Sequence, residues 1–194
     1  MPALDLHLEQ ARQYGRDMLA LQLTPQAVLD RALASTHPLQ TFLLTLDHIG
    51  GYKEDPIRKK SLLLAMLLND RPERFLPLRD DEHIAPIIDY HLMRTFLRMG
   101  LVDVLDEELE TRLTQRQIVS SAEEWAVRYP AYLAMEQLIT LSGRSLNVVN
   151  GFLFSNARKR CPEMTEPECP SCTLDPVCAH RKEFFQPVLR TTFY

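Results

Sequence analysis

Apolar residues recur at a helical spacing through nearly the whole of this chain, which leaves little room for any fold but an α-helical one. Leu62, Leu63, Met66 and Leu67 keep that spacing, as do Leu92, Met93, Phe96, Leu97 and Leu101, so each set lays one apolar stripe along a helix. Further helices are expected near 6–21, 25–36, 38–48, 106–112, 114–127, 130–141 and 145–159. Thr24 before Pro25 reads as an N-cap followed by proline at the first helical position. Ser120 or Ser121 ahead of Glu123 and Glu124 offers a second start signal. Alternating β-type runs closed by Asn-Gly or Asp-Gly turns are missing. Breaks are expected at Gly50-Gly51 to Pro56, Arg71 to Pro86, Gly100 to Asp106, and from Cys161 to the end.

The 194 residues, 45% hydrophobic and 25% charged, suffice for one domain or two small lobes. The start, MPALDLHLEQARQYGRDMLALQL, lacks the basic, apolar and small-residue sections of a secretory signal. No apolar run of roughly 18 residues is present, so no membrane association is expected, and a cytoplasmic location is the default. Net charge is −4. A binder of long nucleic acid usually carries a basic surplus, and only local clusters exist here: Arg158, Lys159 and Arg160, then Arg181 and Lys182. These either form a patch for phosphates or balance a negative group beside them.

All four cysteines lie in the last 34 residues, as C-x7-C-x2-C-x5-C: Cys161, Cys169, Cys172 and Cys178. The proline-rich stretch CPEMTEPECPSCTLDPVC gives them little helix to pack on as core residues. Disulfides are disfavoured in a chain without a secretion signal, which leaves metal binding. Structural zinc usually takes two short C-x2-4-C knuckles, whereas this chain has one C-x2-C with a lone thiol on either side. That arrangement suits a [4Fe–4S] cluster, with zinc as the alternative.

A second constellation is PIIDYHLMRTFLRMGL, residues 86–101. Asp89 stands where two β-branched residues end and an amphipathic helix begins. It would cap that helix, with Ile88 and Met93 as a hydrophobic staple. Helix N-terminal N–H groups also favour the ionised form of a carboxylate. A fixed carboxylate could stabilise an oxocarbenium-like sugar as an N-glycosidic bond breaks, and orient the attacking nucleophile.

Together the two motifs resemble the helix-hairpin-helix DNA glycosylase superfamily, in its endonuclease III and adenine-glycosylase branch. The cysteine loop is similar to that branch's C-x6-C-x2-C-x5-C pattern with one extra residue. It is entered by FLFSNARKR and followed by CAHRKEF. Ile87-Ile88-Asp89, Arg94 and Arg98-Met99-Gly100-Leu101 resemble the family's apolar pair, catalytic aspartate and helix. The resemblance implies an all-α, glycosylase-like fold of two helical lobes, with a C-terminal cluster loop that does no bond cleavage. The expected organisation is an N-terminal helix, 1–24, packing on the cluster lobe. A lobe at 25–113 would hold the divergent hairpin and Asp89, and a C-terminal lobe at 114–194 the cluster loop. It also implies release of a modified or damaged base from DNA by a monomer acting in repair.

Bifunctional members of the family add a lysine that forms a Schiff base with the sugar. Lys60, 29 residues before Asp89, opens a similar helix here and resembles the lysine of archaeal 8-oxoguanine glycosylases. It is expected to be that amine or a substrate contact. The family's L-P-G-[VI]-G hairpin is absent, however. Gly50-Gly51 and a longer loop stand in its place, which weakens duplex DNA as a partner because those glycines admit a phosphate to backbone N–H groups. Asp89-Tyr90 also resembles the Asp-Tyr pair of queuosine-salvage glycosidases, which act on a modified nucleoside or nucleotide and lack the cysteines. Tyr90 and Arg94 are accordingly candidate substrate contacts. A third reading is a non-catalytic nucleic-acid-binding iron–sulfur protein. Trp125, Tyr129 and Tyr132 could stack on a base, though aromatics at helix spacing are more often core.

Overall fold

The computed structural model describes residues 4–194. Eight α-helices follow one another: α1 (Leu4–Ala20), α2 (Pro25–Leu33), α3 (Pro38–Leu46), α4 (Lys59–Asp70), α5 (Tyr90–Met99), α6 (Glu107–Thr114), α7 (Ser121–Ser142) and α8 (Leu146–Lys159). Two short 3-10 turns, Cys169–Ser171 and Asp175–Val177, punctuate the cysteine loop. Among the described residues the extended pairing is a single bridge between Ile118 and Val188. The fold is all-α, as the periodicity predicts.

The chain divides into two compact units. The first runs through Ile87 and takes in Thr191–Tyr194; the second is Ile88–Arg190. The division falls at 87/88, so Asp89 belongs to the same unit as the cysteines. The first unit's core is built on α2, α3 and α4, with Val28, Ala32, Phe42, Leu46, Leu62 and Ala65 buried together. Helix α1 belongs to the first unit. Its Met18 joins that core, and its Asp17 carboxylate accepts from Gly50 N (2.8 Å) and Lys53 Nζ (2.7 Å).

In the second unit α5 packs on α7 and α8. Seven consecutive residues of α5, Leu92 to Arg98, are buried, so this amphipathic helix is enclosed even on its charged side. The start signals are realised as side-chain caps. Thr24 Oγ1 accepts from Ala27 N at 3.1 Å, and Ser120 and Glu123 form a reciprocal capping box. The two helices expected at 114–127 and 130–141 are one, α7, with Pro130 inside it. Proline forfeits one internal hydrogen bond. The helix continues because Val127 and Arg128 before the proline, and Ala131 and Met135 after it, are all buried.

Candidate metal centre and candidate catalytic residues

Cys161 follows the C-terminus of α8, where Arg160 N and Cys161 N both donate to Asn156 O, at 2.8 and 3.0 Å. The loop then returns through the two 3-10 turns, placing Cys169, Cys172 and Cys178 around a common cavity. All four thiols line that cavity, together with Thr95, Arg98 and Asn156. No disulfide joins them. Burial pushes the Cys178 thiol up; the His180 N–H that it accepts (3.4 Å) opposes this, and the other three cysteines add to the rise. The other three cysteines therefore lie close enough to act on Cys178.

The donor set fits a thiolate-bound metal group. No three of the four sulfurs lie within 4.8 Å of one another; the trio that does so among the described residues is Cys169, Asp175 and His180. In that trio His180 Nε2 is already engaged with Asp175 Oδ1 at 2.7 Å. A single tetrahedral zinc, with Zn–S bonds of about 2.3 Å, would draw its sulfurs to roughly 3.8 Å apart.

Helix α5 is bound to this loop along its length. Arg94, 1% exposed, donates to Cys161 O (3.1 and 3.2 Å), Ala157 O (3.3 Å) and Gln186 Oε1 (2.9 Å). Its guanidinium also lies 3.2 Å from His91 Nδ1. Arg98 reaches Cys161 Sγ (3.4 Å), Pro162 O (2.9 Å) and Phe184 O (2.8 Å). The last carbonyls of α5, which have no partner within the helix, accept from the chain leaving Cys178: Met99 O from Ala179 N and Arg98 O from Arg181 N. Gly100 ends the helix at φ 74°, and a Cβ there would meet Ala179 Cβ at 2.9 Å, so both backbone conformation and space call for glycine. Arg94, named from the sequence as a candidate substrate contact, is buried here with its donors on the cysteine loop, Ala157 O, Gln186 and His91.

Asp89 sits at the other end of the same helix. It is 7% exposed, and its Oδ1 accepts from Leu92 N at 3.1 Å, the capping bond expected from sequence. The staple residues Ile88 and Met93 are fully buried. Arg128, itself fully buried, fixes the preceding residue by donating Nε and Nη2 to Ile88 O, each at 3.3 Å. Tyr90 is half-buried beside His91, their ring centroids 4.1 Å apart. Burial pushes the His91 imidazole below its ordinary value against the opposing pull of Asp89, with Arg94 adding to the fall.

Lys60 belongs to the first unit. It opens α4, where Arg58 takes a left-handed conformation (φ 54°) and the buried Asp55 supplies the cap, accepting from Lys59 N at 2.7 Å. Lys60 is half-buried and lines a cavity of about 470 Å³. Burial pulls its ammonium below the usual lysine value, Lys59 contributing in the same sense while Glu54 and Asp55 oppose it. Sequence reasoning singled out Lys60 but missed the cavity's other wall, formed by His7, Gln10 and Tyr14 of α1. Their spacing of three and four residues was the available signal.

The local basic clusters are largely neutralised. Arg160 pairs with Glu168, Arg181 with Asp103, and Lys182 with Glu166. Trp125, Tyr129 and Tyr132 form a parallel stack on α7, with centroids 5.1 and 6.3 Å apart.

Fold and site together define an all-α protein with a four-cysteine candidate metal centre fastened to a capped, buried aspartate helix. Comparison with family models, curated proteins and solved structures returned no match.

Proposed function

We propose that this chain is an N-glycosylase that hydrolyses the bond between a modified or damaged base and its sugar, and that its cysteines hold a [4Fe–4S] cluster. One observation supports the reading above others: α5 carries Asp89 as its N-cap and, further along, the two arginines that grip the Cys161 loop. A catalytic carboxylate must be held within a fraction of an ångström of its working position. Here it would be held by a helix whose far end is stitched to the cluster loop.

In the proposed reaction Asp89 stabilises the positive charge that develops on the sugar as the base departs with the bonding electrons. Water attacks the anomeric carbon, and its proton is passed on, leaving a hydroxyl on the sugar and a protonated free base. Lys60 is the proposed substrate contact or, as the alternative to water, the amine that attacks the anomeric carbon as the base leaves, after which the ring oxygen takes a proton and the opened sugar remains as a Schiff base on the lysine; Tyr90 is a further contact. Cys161, Cys169, Cys172 and Cys178 would hold the cluster. Such a group would act as a compact polynuclear crosslink, favoured over one zinc ion by the C-x7-C-x2-C-x5-C spacing, which has one short knuckle and not two.

The test pairs metal analysis with base release. Purified protein should contain iron and acid-labile sulfide, absorb near 400 nm, and lose both on Cys→Ala substitution at any of the four positions. It should release free base from at least one member of a panel of modified nucleosides and oligonucleotides, and Asp89→Asn should abolish release while leaving the iron in place. Stoichiometric zinc would refute the cluster. Equal release by Asp89→Asn would refute the catalytic assignment.

A further inference from the structure

A threonine inside a helix has an acceptor close at hand, the carbonyl four residues before it, and its hydroxyl can donate there. Thr45, Thr111, Thr114 and Thr140 do so, to Thr41 O (2.7 Å), Glu107 O (2.9 Å), Glu110 O (3.0 Å) and Glu136 O (2.9 Å). Thr41 donates instead to Ser35 Oγ at 2.7 Å. Thr95, in the middle of α5, departs from this pattern. The residue is 2% exposed, and its Oγ1 is shielded from solvent with no hydrogen-bond partner. Neither the carbonyl one turn back nor a thiol sulfur meets it. Buried hydroxyls are nearly always paired, so this one calls for an explanation.

Its position supplies one. Thr95 lines the cavity of the four thiols together with Arg98 and Met99, three and four residues further along the same helix face. Two of the thiols already have donors from the protein. Arg98 Nη1 lies 3.4 Å from Cys161 Sγ, and His180 N donates to Cys178 Sγ at 3.4 Å. Helix α5 thus brings a guanidinium and a hydroxyl to one space, and the hydroxyl is the donor whose acceptor the protein does not provide. The sulfide of an iron–sulfur cluster is such an acceptor, and a lone metal ion is not.

We infer that Thr95 Oγ1 donates a hydrogen bond to a sulfur of the group held by the four cysteines, and thereby raises that group's reduction potential. This rests on the iron–sulfur reading and not on the glycosylase one. The reason is charge. Thiolate ligands make the group negative, and its reduced state carries one electron more than its oxidised state. A donor aimed at sulfur stabilises the more negative state more strongly. Thr95 is also a clean place to see this. Arg98 additionally holds Pro162 O and Phe184 O, so removing it would disturb the loop, whereas the Thr95 hydroxyl holds nothing else in the chain.

The experiment is an anaerobic redox titration of the full-length, iron-loaded protein with mediators, followed by visible absorbance. Thr95→Val keeps the side-chain shape and removes the donor, Thr95→Ala is a second donor-free variant, and Thr95→Ser keeps the hydroxyl. At the wild-type midpoint the oxidised-to-reduced ratio should rise about threefold or more in the valine and alanine variants, a fall in potential of roughly 30 mV at 59 mV per tenfold for one electron. Thr95→Ser should restore the wild-type potential. Thr111→Val, which removes an exposed hydroxyl bonded within its own helix, should leave it unmoved. Iron and acid-labile sulfide should be equal in all of them. A wild-type potential in both donor-free variants, or a shift that Thr95→Ser does not reverse, would overturn the inference and leave the cluster standing. Zinc in place of iron would remove the cluster reading and this inference with it.

Discussion

Replacing Arg94 by methionine tests whether α5 depends on the cysteine loop for its position. Methionine keeps most of the volume and the apolar stem, so the change isolates the guanidinium. Five bonds vanish, and four acceptors lose a donor: Cys161 O, Ala157 O, Gln186 Oε1 and His91 Nδ1. Each unsatisfied buried acceptor costs about 1–3 kcal/mol, and removal of a buried cation gives some of that back. A net loss of about 2–4 kcal/mol is expected for the unit holding α5. At roughly 2–4 °C per kcal/mol for a chain of this size, the melting transition should fall by about 5–15 °C. Arg158→Met, at an exposed guanidinium lying 5.7 Å over the Phe154 ring, serves as the surface control and should move it by less than about 2 °C. Thermal melts followed by far-ultraviolet circular dichroism and by absorbance near 400 nm report the helices and the metal centre separately. Both signals should shift together in Arg94→Met. A variant that melts with wild type and keeps its metal would refute the claim that this arginine joins helix to loop.

Asp89 offers a separation of capping from charge. Asn caps as well as Asp, so Asp89→Asn should leave stability within about 0.5 kcal/mol of wild type, while Asp89→Ala should cost about 1 kcal/mol in urea denaturation. Base release should fall by at least about 100-fold in both, and a loss confined to Asp89→Ala would make the residue a cap alone. Lys60 should make stability depend on pH with a definite sign. Its folded-state value lies below 10.5, so the unfolded chain binds more protons between the two values and stability rises with pH across that window. Lys60→Met should flatten this rise, and identical pH profiles would contradict the burial assigned to the amine. Gly50→Ala should loosen α1, because its Cβ would strike Gln13. Faster proteolytic cleavage within residues 4–24 is the expected readout, and unchanged cleavage would mean that the close approach is not tight.

Several features were legible in the sequence because each rests on local chemistry. Helical period, the Thr24, Asp89 and Ser120 caps, and the C′ glycine at 100 are decided within a turn or two of chain. The convergence of the four cysteines was legible because short loops leave them few alternatives. What escaped was set by distant partners. Nothing near Arg94 in sequence indicates that Cys161 O and Gln186, 67 and 92 residues away, will consume its donors. Nothing near Gly50 indicates that Asp17 will take its amide. The joining of two expected helices across Pro130 has the same origin: local rules price the lost hydrogen bond, but the burial of α7 on both sides of the proline is a property of the assembled unit.

Placing the candidate metal centre at one end of α5 and the carboxylate at the other bears on how the second unit is held together. The cysteine loop has few large apolar side chains of its own, and Met164 and Val177 within it are exposed, so hydrophobic burial contributes little to its order. Its attachment is polar: backbone N–H groups from Ala179 and Arg181 on the α5 carbonyls, and guanidinium donors from Arg94 and Arg98 on the loop carbonyls. Such bonds add stability only while the loop keeps its shape, because a mobile loop exchanges them for water at little net cost. A group crosslinking the four thiols would supply that shape by closing the loop's conformational freedom before the hydrogen bonds form. Removing the metal should therefore loosen α5 through the loss of its partners, and with it the setting of Asp89, even though no ligand touches that carboxylate.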